Sequence, residues 1–319
     1  MPSVLTIEAP CKINLHLRVL GRREDGFHDL ESLFLALSWG DTLTFEVKAG
    51  EGDCEVLMDR ELPPGGNLVE KAVWAFREAT GFRRSLRIRL VKRLPLGAGL
   101  GGGSSDAAAV LKALAILGGI ALDKGELNKL ALGLGSDVPF FLGTGAAFVS
   151  GRGGFLEPVD PPEGIWIVLV KPGFSSSTPG AFALLDRVRA GSAEAGSGRA
   201  EAGSGRAEAG NGRAEAGPSR EDLVRALGEG PETWPYTNDF LPLFIEHGPP
   251  EEGAVYSRLI GDFKRLGAAF AGLSGSGSTC FGVFKEKEAA KRAEKALRSP
   301  WNLVKTTFPL RIEKSGIKI

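Results

Sequence analysis

The chain has 319 residues, 43% hydrophobic and 24% charged, with 39 basic residues matched by 39 acidic ones. That length suits two domains, and the even charge balance argues against nucleic acid or a charged membrane surface as partner. Cys11, Cys54 and Cys280 have neither disulfide-framework nor zinc-ligand spacing, no apolar run reaches membrane-spanning length, and the first residues lack the layout of a signal peptide, so a cytoplasmic protein is expected.

In chain order, Val4, Ile7, Ile13, Leu15, Leu17 and Val19 alternate in part with polar residues, which predicts strands half-buried in a sheet over 3–20. Arg22 to Phe27 reads as a turn, and 33–37 and 41–47 read as strands. Leu68, Ala72, Val73 and Phe76 have helical spacing over 67–80, with Gly81 as a stop. Leu86, Ile88 and Leu90 alternate with Arg87 and Arg89, a strand with one inward face. Helices are expected at 104–117 and 123–134, the second opened by a capping-box pattern from Asp123 to Glu126. Strands follow at 144–159 and 165–171, then helices at 178–189, 219–228 and 253–266. Strands at 268–273 and 279–284 flank a second glycine turn at 272–278, and a helix at 286–297 leads to a last strand near 303–312. The heptapeptide Gly-Ser-Gly-Arg-Ala-Glu-Ala occurs at 196–202 and 203–209, and recurs with Asn211 at 210–216. No large apolar residue offers a coiled-coil seam, and two glycines per repeat oppose helix. Residues 190–218 therefore read as a flexible insertion in a surface loop.

The most informative stretch runs from Pro95 through Leu96, Gly97, Ala98, Gly99, Leu100, Gly101, Gly102 and Gly103 to Ser104 and Ser105. It follows a strand and opens an apolar helix, so its backbone N–H groups and the helix dipole point at one spot, the chemistry of a phosphate site. A Walker pattern is absent, because the chain has no Gly-Lys pair. Gly97 to Gly102 fits a dinucleotide fingerprint, but the strand before it carries arginines on one face, where a central parallel strand would be apolar on both. Asp123, placed where a ribose-binding acid would fall, is better explained as a helix cap. A tight turn made only for packing would not need so many glycines, since each costs ordering entropy.

The loop 95–105 resembles the phosphate-binding motif of the GHMP kinases. Ala9 to Leu15, Arg22 to His28, and Gly135 to Phe141 resemble one branch of that family, whose members phosphorylate the 2-hydroxyl of 4-diphosphocytidyl-2-C-methyl-D-erythritol with ATP in the non-mevalonate route to isoprenoid precursors. Gly272 to Thr279 resembles the family's third motif. The likeness spans residues 8 to about 284 in the expected order, interrupted by the repeat. It implies an α+β fold of two domains: a ribosomal-protein-S5-like domain over 1–160 and a ferredoxin-like domain over 161–319, with the site in the cleft between them.

The resemblance also implies roles. Backbone N–H groups of 95–105 would hold the ATP phosphates, with a hydroxyl from Ser104 or Ser105 near the phosphates or Mg²⁺. Asp106 is open to a second explanation as a first-turn partner of the helix dipole. Asp137 would take the proton of the substrate hydroxyl, and Lys12 would stabilise the charge developing there. Asn14 would contact the substrate near Lys12. His28 would hydrogen-bond the cytosine edge, with Phe27 and Phe182 stacked on its two faces. Phe27 stands where the family commonly has Tyr, and Arg152 where an aliphatic or small residue is usual. Among the three histidines, His16 falls in a strand and His247 beside prolines, which leaves His28 as the candidate. Monomer and homodimer are both compatible with the sequence.

Overall fold

Strand-like alternation in the first half of the chain becomes a six-stranded sheet. The computed structural model describes residues 3–59, 67–143, 145–197, 217–301 and 303–310. Strand β1 (Val4–Arg22) pairs antiparallel along β2 (His28–Glu51), with register shifts at Pro10/Cys11, Asn14/His16 and Val19/Gly21. The segments expected as separate strands at 33–37 and 41–47 are thus one long strand. Its two halves have different outer neighbours: β4 (Arg84–Val91) pairs with the C-terminal half, β5 (Ala146–Gly151) with the N-terminal half. A short strand β3 (Cys54–Met58) runs parallel to β4, and β6 (Phe155–Val159) closes the other edge. The strand expected over 144–159 is broken by a turn at Gly151 and Gly153, both with left-handed φ.

Period-two alternation gives this sheet two apolar faces. Phe34 and Ala36 join one core with Leu86, Ile88 and Leu90, packed under α1 (Leu68–Thr80), α2 (Gly102–Gly118) and α3 (Lys124–Leu134). Leu33, Leu35 and Leu37, with Cys11, Ile13 and Leu15, face a second core shared with the other sheet. Arg87 points outward to Glu55 at 2.6 Å, as the alternation requires. Asp123 caps α3 in a full capping box with Glu126. Burial raises the Cys11 thiol well above its ordinary pKa, so this residue is a small core side chain and not a nucleophile.

The second sheet holds β7 (Trp166–Lys171), β8 (Phe270–Leu273), β9 (Cys280–Phe284) and β10 (Leu303–Thr307) in spatial order β10-β7-β9-β8, all antiparallel. This is the ferredoxin-like order, and a third core packs it against α4 (Thr178–Ser197), α6 (Phe240–His247), α7 (Pro250–Arg265) and α8 (Lys287–Arg298), while α5 (Arg220–Leu227) joins the second core. Helix α4 continues eight residues past its expected end, through the first part of the region read as a loop; the repeat from 198 to 216 lies outside the described residues. Helix α6 and strand β3 were not expected from the sequence. No helix among the described residues is long and apolar enough to cross a membrane.

Candidate active site

The glycine loop turns by left-handed backbone at Gly97, Gly99 and Gly101 (φ 60°, 73° and 69°) and enters α2 two residues before its expected start. Gly101 is the N-cap and makes no side-chain capping bond, so the first-turn N–H groups have no side-chain acceptor at that position. Gly99 is required twice over. Beyond its φ, a Cβ there would lie 2.3 Å from the Ser274 carbonyl oxygen and 2.8 Å from that of Gly277. The second glycine turn is therefore the backing of the first. Ser274 Oγ donates to the Gly99 carbonyl at 2.8 Å, and the Thr279 N–H to that of Ala98 at 3.2 Å.

The loop opens on a cleft of about 850 Å³ lined by residues of both sheets' domains, among them Lys12, Asn14, Phe27, His28, Asp137 and Phe182. Lys12 and Asn14 sit two apart on β1 and so share a face. The Lys12 N–H donates to the Leu100 carbonyl at 3.0 Å, which seats β1 against the loop. Lys12 Nζ donates to Asn14 Oδ1 at 2.7 Å, lies 3.3 Å from Asp137 Oδ2 and stands 4.5 Å above the Phe34 ring. Asn14 Nδ2 in turn donates to Ser32 Oγ at 2.9 Å. Lys12 is thus a buried cation aimed by a side-chain chain of bonds at one carboxylate. Asp137 itself is part-exposed to the cleft, on the turn that precedes a 3₁₀ helix (Pro139–Leu142). Lys112 Nζ holds that helix by donating to the Phe141 carbonyl at 2.6 Å, and burial pulls its pKa down to about 8.

Sequence reasoning missed a buried charge cluster beneath the loop. Lys92 Nζ donates to Asp41 Oδ2 at 2.5 Å and to Asp106 Oδ2 at 2.8 Å, all three residues being almost fully buried. Asp41 Oδ1 also accepts from the N–H groups of Arg93 and Leu94, at 2.6 and 2.8 Å. Burial pushes the Asp106 carboxyl up to about 7 against the opposing pull of Lys92, with Asp41 adding to the rise. Burial works against the Lys92 ammonium, but Asp106 and Asp41 outweigh it and leave its pKa raised. Because α2 begins at Gly102, Asp106 lies past its first turn and is not the first-turn dipole partner expected; through Lys92 it ties the second turn of α2 to β2. The only signal in the sequence was Lys92 itself, an ionisable residue at the end of an otherwise amphipathic strand.

The other end of the cleft is lined by Phe27, His28 and Phe182, each with a partner of its own. Phe182 stacks on the His28 imidazole, with ring centroids 4.7 Å apart and planes at 25°. Phe27 is half-exposed, and the Arg152 guanidinium lies 3.5 Å from its ring centroid. Asp25 accepts from the Phe27 N–H at 3.1 Å and lies 3.5 Å from Arg152 Nη1, so it ties both halves of that stack. His28 Nε2 meets Asp186 Oδ1 at 2.8 Å, a contact the sequence did not suggest. His16 lies buried in β1, where its Nδ1 accepts the Thr237 N–H at 3.1 Å, and burial lowers its pKa to about 4. His247 sits at the exposed end of α6.

Among known proteins, the profile for GHMP kinases N terminal domain matches residues 67–145 and that for GHMP kinases C terminal matches 239–303. The chain is 36% identical to a 4-diphosphocytidyl-2-C-methyl-D-erythritol kinase of Treponema pallidum (strain Nichols), over 93% of this chain and 96% of that one. It belongs to that kinase family. A relative of the same name from Anaeromyxobacter dehalogenans is 41% identical, over 91% of this chain and 84% of that one. The crystal structure of a 4-(cytidine 5'-diphospho)-2C-methyl-D-erythritol kinase superposes with a TM-score of 0.71 at 34% identity, covering 95% of this chain and 98% of that one. A homoserine kinase from Cytophaga hutchinsonii shares the fold alone, with a TM-score of 0.63 at 16% identity over 99% and 97% of the two chains. The chain is accordingly an ATP-dependent small-molecule kinase. It transfers a phosphoryl group to 4-diphosphocytidyl-2-C-methyl-D-erythritol, whose cytidine diphosphate group sets it apart from the simpler alcohols of other GHMP kinases.

Proposed function

We propose that the phosphoryl transfer is carried out between the glycine loop and the Lys12–Asp137 pair, within two domains divided near residue 160. The observation that carries this reading is the 3.3 Å approach of a buried lysine to a cleft-facing carboxylate, beside a loop that presents backbone N–H groups. The loop from Pro95 to Ser105 holds the triphosphate of ATP. The 2-hydroxyl lies against Asp137, which takes its proton as the oxygen bonds to the γ-phosphorus. The bond from that phosphorus to the β,γ-bridging oxygen breaks, and ADP leaves. Lys12 offsets the negative charge that gathers on the reacting oxygens.

Mg²⁺ fits this site as an ion carried on the triphosphate. No group of three acidic, His or Cys side chains forms a cage among the described residues, which is usual for Mg²⁺ held mainly by phosphates. Ser104, on the cleft, is the side chain that would hold it, whereas Asp137 is given over to the substrate hydroxyl and Asp106 is committed to Lys92. When bound, the ion supplies charge neutralisation on the phosphates. Asn14 contacts the alcohol beside Lys12, and at the far end Phe27, His28 and Phe182 hold the cytidine group.

Purified protein with ATP, Mg²⁺ and the cytidylylated alcohol should release ADP, and the uncytidylylated methylerythritol phosphate should not support turnover. Asp137→Ala should abolish most turnover while ATP still binds. Turnover within a few-fold of the parent would mean that Asp137 is not the proton acceptor.

A further inference from the structure

Helix α4 presents two residues to the His28 imidazole. Phe182 and Asp186 are four apart and so share a helix face. Phe182 lies against the ring plane at 4.7 Å, and Asp186 meets the ring edge at Nε2, 2.8 Å away. The other carboxylate oxygen of Asp186 lies 3.8 Å from Arg22 Nη1. The His28 side chain is only 8% exposed, so the ring has little freedom to turn away.

An ionised carboxylate can only accept a hydrogen bond, so Nε2 must carry the proton. A neutral imidazole with its proton on Nε2 has a lone pair on Nδ1, which takes part in no hydrogen bond among the described residues. His28 lines the cleft with Phe27, Asn14 and Phe182. We propose that Asp186 is a positioning residue for specificity: it holds Nδ1 of His28 as an acceptor, and so makes the site select the 4-amino group of cytosine over the 4-carbonyl of uracil. The amino group donates to that lone pair, whereas the carbonyl sets two acceptors against each other. A site built around one hydrogen-bond polarity rejects the opposite one, because the mismatched pair is desolvated and unpaired. This inference rests on the cytidine end being at His28, as in the proposed function.

The test is calorimetric binding of CMP and UMP to the parent protein, Asp186→Ala, Asp186→Asn and His28→Ala. It is paired with nitrogen-15 spectra of the three histidines, in which His28 is assigned by the signal lost from His28→Ala. The parent should prefer CMP and show the His28 proton on Nε2. Asp186→Ala should shrink the preference about tenfold, the scale of one hydrogen bond, with a proton now appearing on Nδ1. Asp186→Asn, which keeps the size and one acceptor oxygen, should fall between. With the cytidylyl alcohol, the loss should fall on KM and not on kcat. An unchanged CMP-to-UMP ratio in Asp186→Ala, or a His28 tautomer that does not respond, overturns the inference while CMP binding still depends on His28. If His28→Ala binds CMP as tightly as the parent, the base lies elsewhere, and the reading of the cytidine end fails with it.

Discussion

The two ends of the cleft are built by opposite means. The end proposed to hold phosphate is made of backbone: three left-handed glycines, an open helix N-terminus and a second glycine turn pressed so close that one added Cβ would strike a carbonyl at 2.3 Å. Its ionisable supports, Lys12, Lys92, Asp41 and Asp106, are almost fully buried. The end proposed to hold the base is made of side chains paired with one another: Phe27 with Arg152 inside the first domain, and His28 with Asp186 and Phe182 of α4. The contrast suits the ligands proposed for the two ends. A triphosphate offers the same oxygens whatever substrate is phosphorylated, and fixed N–H groups suit it. A base must be told from other bases, which takes side chains with a chosen donor or acceptor.

This contrast can be broken by mutation, and the expected effects fall in a definite order. Asp137→Ala should lower kcat about a thousandfold, the range for losing a positioned proton acceptor, with ATP affinity held; stopped turnover assays and nucleotide binding check both halves. Lys92→Met should destabilise the fold by about 3–5 kcal/mol, because Asp41 and Asp106 would face one another uncompensated in the interior. Asp106→Asn should lose far less, since the cluster then keeps one cation, one carboxylate and a hydrogen-bonding amide; urea unfolding of the two variants separates them. Gly99→Ala should cost about 1–2 kcal/mol from its backbone conformation alone, and the clash with Ser274 should add a rise in KM for ATP.

Acid should act on the buried part of β1, at His16. Folding holds His16 neutral down to about pH 4, whereas the unfolded chain takes up that proton near 6.5. Between these values the unfolded state binds more protons, so stability is full above about 6.5 and falls as the pH drops toward 4. His16→Asn, which keeps an acceptor for the Thr237 N–H, should flatten that slope in thermal melts. The smallest effect is expected at the base end. Arg152→Ala removes an exposed cation–π contact worth about 0.5–1 kcal/mol, so KM for the cytidylyl alcohol should rise only a few-fold, with kcat unchanged. A loss at Arg152 as large as that at Lys92 would erase the distinction between the two ends.

The sequence by itself determined the parts whose signal is local. Alternation placed β4 and its inward face, the capping box fixed the start of α3, and the crowded glycines of 95–105 marked a backbone site, because each of these is a conformational demand met within a few residues. Only the tertiary structure decided what depends on partners far apart in the chain. Asp41 reaches Lys92 across 51 positions, His28 reaches Asp186 across 158, and Asn14 meets Ser274 across 260. Such pairs leave no period or spacing to read, since the attraction between two polar or charged groups is set by their distance and burial in the fold and not by the residues beside them. For the same reason β3, which is defined by its pairing to β4, and α6, which is held by the third core, appear only once their neighbours are in place.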